Sequence, residues 1–178
     1  MSTTSKTNLL LLLLLLTLST SSIQHTSADA NFISATCNRT TDPASCVALL
    51  ESQKLSFAAA DVHGLAWIAL QMTTSHASDT LALVTNLFHQ REGEPISAPL
   101  DICKQLYGIA TEALKAAGEG LGKGDYADAS KRVGKARDAA GLCEAAFGME
   151  YPSPLTAQNR DVKGNCSVTF DLIGLIPA

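Results

Sequence analysis

Residues 97–147 read SAPLDICKQLYGIATEALKAAGEGLGKGDYADASKRVGKARDAAGLCEAAF. Within them Leu100, Cys103, Tyr107, Ala110, Leu114, Ala117 and Leu121 recur at steps of three and four, the spacing that gathers side chains onto one face of an α-helix. Gly122-Lys123-Gly124 interrupts the pattern, and the rhythm restarts as Tyr126, Ala129, Val133, Ala136, Ala140, Cys143 and Phe147. A Gly-rich break between two such stripes suits a tight antiparallel connection. The second stripe then runs back past the first and brings Cys143 level with Cys103. The spacing predicts a disulfide between them.

Upstream, a long helix is expected from Asp61 to about Gln90, with Val62, Leu65, Ala69, Met72, His76, Thr80, Leu83 and Leu87 as its apolar stripe. Gly93 and Pro95 end it, and Ser97 is placed to cap the next helix. Downstream, Pro152 and Pro154 impose a linker, and a last helix over Thr156–Ile176 carries Val162, Cys166, Thr169, Leu172, Ile173 and Ile176 on one face. Long helices joined by short connections predict an all-α, up-down-up-down four-helix bundle. Gly134 and Gly141 inside the third helix each cost about 1 kcal/mol relative to Ala, and are read as points of close helix approach, the alternative being that they are simply tolerated. Ahead of the bundle, Cys37 and Cys46 enclose the helix-start signal Asp42-Pro43. This predicts an N-terminal hairpin of short helices, near 32–36 and 43–52, stapled by that pair.

Residues 1–30 have the pattern of a signal peptide: Lys6, an apolar run from Leu9 to Leu18, and a small-residue cleavage site at Ala28-Asp29-Ala30. The run is too short to span a bilayer, so residues 31–178 are expected to form one secreted helical domain with no membrane attachment after leader removal. A formal net charge of −4 gives no footprint for nucleic acid. Five cysteines in an oxidising compartment imply two disulfides and one free thiol, Cys166. Asn38-Arg39-Thr40 is the glycosylation sequon expected to be used; Asn165-Cys166-Ser167 falls inside a helix and is not.

No catalytic or cofactor signature accompanies this architecture. His63, His76 and His89 are spaced by thirteen residues along one helix and do not converge. His76 is read as a hydrogen-bonded core residue. The Gly118–Gly124 run follows a helix and lacks the Lys-Ser/Thr ending of a phosphate loop. Lys131, Arg132, Lys135 and Arg137 wind around the third helix as a solvated basic face or a partner-binding patch. The expectation is a non-enzyme without metal or cofactor.

The cysteine frame resembles a known family. Cys37-Asn-Arg-Thr40-Thr-Asp-Pro43-Ala-Ser-Cys46 is similar to the C-x-x-T-x-x-P-x-x-C signature of plant invertase and pectin methylesterase inhibitors, and Leu100–Leu114, Gly124–Tyr126, Cys143 and Phe147 resemble that family's later helix blocks. Cys166 matches an extra free cysteine of the pectin methylesterase inhibitor branch. The resemblance implies the hairpin-plus-bundle fold, the pairs Cys37–Cys46 and Cys103–Cys143, and a secreted inhibitor acting in the cell wall or, alternatively, the vacuole. It implies a one-to-one complex in which the second to fourth bundle helices cover the cleft of pectin methylesterase. The alternatives are an acid invertase inhibitor and a diverged, non-inhibitory binding protein. The invertase branch uses a Pro-Lys-Phe element, and the matching positions are Tyr126, Ala127 and Asp128. The family's Ser-Ala-Ala-Leu run falls on Gly134, Lys135, Ala136 and Arg137. Lys104, Tyr126, Asp128, Lys131, Lys135 and Arg137 are the expected partner-binding residues.

Overall fold

A computed structural model describes residues 30–177; apart from Ala30, the expected leader lies outside the described residues. Helix α1 spans 30–37 and α2 spans Pro43–Glu51. Thr40 Oγ1 donates to the Cys37 carbonyl at 2.7 Å, while Asp42 Oδ1 accepts from the Ser45 N–H at 3.1 Å and starts α2 with Pro43 in its first turn. A disulfide joins Cys37 to Cys46. The Thr41 N–H and hydroxyl both donate to Asp171 Oδ2, at 2.8 and 2.6 Å, and so tie the hairpin tip to the last helix of the bundle. A 3-10 turn over Lys54–Ala58, absent from the sequence reading, leads onward. It is too short to carry a period.

The bundle comprises α3 (Val62–Gln90), α4 (Ser97–Gly122), α5 (Tyr126–Ala146) and α6 (Thr156–Gly174). Contacts run α3–α4, α4–α5, α5–α6 and α6–α3, closing an up-down-up-down ring. Asp61 caps α3, its Oδ1 accepting from the Gly64 N–H at 2.8 Å. The buried face of α3 passes through Leu65, Ala69, Leu70, Thr73, Ala77, Thr80 and Val84. This corrects the expected stripe, which runs one residue early through Met72 and His76. Thr73 satisfies its hydroxyl by donating to the Ala69 carbonyl at 2.7 Å and meeting Thr169 Oγ1 at 2.9 Å, so a polar residue enters the core without cost in unpaired groups. His76 is exposed, with Nδ1 2.6 Å from Asn165 Nδ2. It is not a core residue.

All seven stripe residues of α4 are buried. Ser97 is its first helical residue rather than its cap: Ile96 holds the cap position already in αR geometry, with no side-chain bond, and the Ser97 N–H donates to the Glu94 carbonyl at 2.9 Å. Gly124, at φ +76°, turns the chain, and Asp125 starts α5 by accepting from the Asp128 N–H at 3.0 Å. Close helix approach occurs at Gly120, where a Cβ would lie 3.3 Å from the Asp125 carbonyl oxygen. Gly134 and Gly141 would meet nothing within 4 Å, which overturns their reading as contact points. Cys103 and Cys143 are bonded, with Cα atoms 4.7 Å apart.

A polar chain crosses three helices inside this shell. Tyr107 Oη donates to Asn159 Oδ1 at 2.7 Å, and Asn159 Nδ2 donates to Glu144 Oε2 at 2.6 Å. Thr156 Oγ1 donates to Glu144 Oε1 at 2.6 Å. Burial pushes the Tyr107 phenol well above its ordinary value, so it stays a donor.

Candidate partner-binding groove

The outer seam between α4 and α5 opens into a groove of about 660 Å³. The small residues that let α5 lie against α4 leave little to fill the seam above the core, and Gly134 contributes no side chain at all. Leu106, Ala139, Ile109 and Leu142 give the groove an apolar lining, and the last two remain 45% and 58% exposed. Ile102, on the same flank of α4, is exposed as well. Exposed aliphatic side chains gathered around one groove mark a surface suited to a partner.

Charge on the rim is partly cancelled from within. Arg132 is held by Asp128, one turn earlier on α5, and Arg137 lies 3.7 Å from Asp138. Lys131 and Lys135 enter no ion pair among the described residues. They stand one helical turn apart, about 6 Å along the axis. The groove therefore offers two free ammonium groups beside an apolar floor.

Of the six residues expected to contact a partner, Asp128, Lys131 and Lys135 come together here. The other three do not. Lys104 turns toward α3, with Nζ 3.9 Å from the centroid of the Phe88 ring and 2.8 Å from Asp101 Oδ1. Arg137 lies over Phe170 of α6 at 5.7 Å. Tyr126 sits at the end of the bundle, its ring 6.2 Å from that of His63. Leu106, Ile109, Gly134 and Leu142 were absent from the expected set. The available signal was the seven-residue interval from Ile102 to Ile109, which places two isoleucines on one flank of α4 away from its core stripe.

Other expected sites fall elsewhere. Asn38 is exposed in the turn after α1, whereas Asn165 is half-buried and engaged by His76. Cys166 is buried, and burial pushes its thiol up to about 12, so it stays protonated and unreactive. Among the described residues, no three His, Cys, Asp or Glu side chains converge to hold a metal ion, and no helix is long and apolar enough to cross a membrane.

Residues 31–172 match the family model described as plant invertase/pectin methylesterase inhibitor. A pectinesterase inhibitor from Actinidia deliciosa is 27% identical over 152 residues, covering 84% of this chain and 82% of its relative. Pectinesterase inhibitor 28 from Oryza sativa subsp. japonica is 33% identical over 159 residues, covering 83% and 70%. Among solved structures, a pectin methylesterase inhibitor from Arabidopsis thaliana superposes with a TM-score of 0.64 at 22% identity over 82% of this chain and 96% of the other. A mutant form of an Arabidopsis inhibitor gives 0.70 at 23% identity, covering 79% and 94%.

Proposed function

This chain belongs to the plant invertase/pectin methylesterase inhibitor family, and we propose that it is a secreted, non-catalytic inhibitor of a pectin methylesterase in the cell wall, forming a one-to-one complex that occludes the substrate cleft. The observation that carries this reading is the α4–α5 groove, with exposed Ile109 and Leu142 beside the free ammonium groups of Lys131 and Lys135. Two rigid helices clipped by Cys103–Cys143 present that surface already formed, so little conformational entropy is lost when a partner docks. Apolar anchors supply affinity, and the lysines supply steering toward acidic groups.

The invertase alternative finds less support at the start of α5. Tyr126 packs by His63 and Asp128 is engaged by Arg132, so two of the three positions matching Pro-Lys-Phe are tied to neighbours. The test is inhibition of plant pectin methylesterase and acid invertase, side by side, by the oxidised protein. Loss of esterase activity at one equivalent is expected. Ile109→Asp with Leu142→Asp should weaken inhibition by about 100-fold, the effect of losing two interface anchors. Inhibition of invertase alone, or of neither enzyme, would overturn the proposal.

A further inference from the structure

A second groove, of about 340 Å³, lies on the other flank of α4, where it meets α3. Trp67, Gln71 and Thr74 line it from α3, and Lys115, Gly118 and Glu119 from α4, above a floor of Leu70 and Leu114. Trp67 is the chain's one tryptophan and is 37% exposed. An indole left open to solvent beside an amide, a hydroxyl, a cation and a carboxylate is a different surface from the aliphatic seam between α4 and α5.

We propose that this α3–α4 groove binds an uncharged sugar unit of a glycan, with Trp67 as the platform on which the ring lies. A sugar ring presents C–H groups on its faces and hydroxyls around its edge, so it needs an apolar plate surrounded by hydrogen-bonding groups of both kinds. Those groups are in place. Thr74 Oγ1 spends its proton on the Leu70 carbonyl at 2.7 Å and keeps its lone pairs as acceptors. Among the described residues Lys115 pairs only with Glu112, at 3.1 Å, and both side chains are largely exposed, so its ammonium can turn to a ligand. Glu119 accepts and Gln71 does both. One cation and one carboxylate line the groove, and that balance selects an uncharged ligand over a uronate. Gly118 keeps the floor open: a Cβ there would meet only Leu70 Cδ2, at 3.9 Å.

The choice of a pectic sugar as probe rests on the function proposed above, but binding is measured with no enzyme present, so the two readings fail separately. Because Trp67 is the sole indole, its emission reports directly on the groove. Titration with methyl-esterified trigalacturonide should give a saturable change in emission, and the de-esterified trisaccharide should bind at least about tenfold more weakly, since Lys115 is shared with Glu112 while Glu119 enters no ion pair among the described residues, which leaves the groove unfavourable to added negative charge. Gly118→Leu fills the groove with a better helix former, so the response should vanish while the unfolding midpoint does not fall. Trp67→Ala, followed by calorimetry, should abolish binding. Any of three results would overturn the proposal: no saturable change with the esterified sugar, equal or tighter binding of the free acid, or a wild-type response from Gly118→Leu. So would a Trp67→Ala variant that loses direct binding to the esterase, measured by calorimetry with no glycan present, because the face would then belong to the protein partner.

Discussion

Replacing Tyr107 with Phe tests whether the buried polar chain between α4, α5 and α6 holds the bundle in register. Tyr107 is fully buried and Asn159 is 3% exposed. Phe keeps the ring and its packing but withdraws the hydroxyl that donates to Asn159 Oδ1 at 2.7 Å. Asn159 cannot rotate to compensate without breaking its bond to Glu144 Oε2 at 2.6 Å. The buried amide oxygen is then left without a partner, which costs about 1–3 kcal/mol. Taking about 2 kcal/mol, the melting midpoint of a chain this size should fall by roughly 4–8 °C. Urea unfolding of the oxidised protein, followed by circular dichroism, measures the loss at unchanged m-value. Combining Tyr107→Phe with Asn159→Ala should give a coupling of about 1 kcal/mol or more. A loss below about 0.5 kcal/mol, or strict additivity, would show that the chain of bonds contributes nothing beyond packing.

Glu144, the two disulfides and Cys166 each give a further expected outcome. Burial pushes the Glu144 carboxyl up, but hydrogen bonds from Thr156 and Asn159 outweigh it and hold the group below its ordinary 4.5. Its folded value lies under its unfolded one, so its contribution is full above the unfolded value and is lost as pH falls through the folded one. Glu144→Gln should flatten the stability–pH curve in the acid range, and an unchanged slope in denaturant titrations across that range would count against the assignment. For the disulfides, the chain separations of 40 and 9 residues predict losses of about 4 and about 2.5 kcal/mol on replacing Cys103/Cys143 or Cys37/Cys46 by Ser, if loop entropy dominates. Equal or reversed losses would refute that account. Cys166 should resist iodoacetamide in the native protein and react fully in denaturant; rapid native labelling would contradict its burial.

The bundle was legible because its determinants are periodic and local. The stripes of α4 and α5 hold without exception from Leu100 to Leu121 and from Ala129 to Cys143, and their Gly-rich junction specifies the reversal that brings the two half-cystines together. The α3 stripe was harder to read because hydropathy does not register a threonine that satisfies its own hydroxyl. Thr73 donates to the carbonyl four residues back, as the expected Thr80 does, and that is why it lines the core while Met72 is only partly buried at its edge and His76 is exposed. The buried Asn159 escapes notice for the same reason. Its partners, Tyr107 and Glu144, are 52 and 15 residues away in the chain, and only the assembled bundle shows that they meet.

The groove was less legible because periodicity describes what faces inward and says little about what a surface is for. In the sequence, Lys131, Arg132, Lys135 and Arg137 form one basic run. In the structure they separate by their neighbours: Arg132 is neutralised by Asp128 and Arg137 is drawn toward Asp138 and Phe170, so only Lys131 and Lys135 keep charge to offer. Part of that division was already written in the four-residue interval from Asp128 to Arg132, the spacing at which opposite charges meet on a helix. The rest required α6, because nothing near Arg137 in the chain foretells Phe170. A basic face is therefore better counted after its intrahelical carboxylates are subtracted, and for α5 that subtraction leaves two lysines on the one flank where α4 exposes its isoleucines.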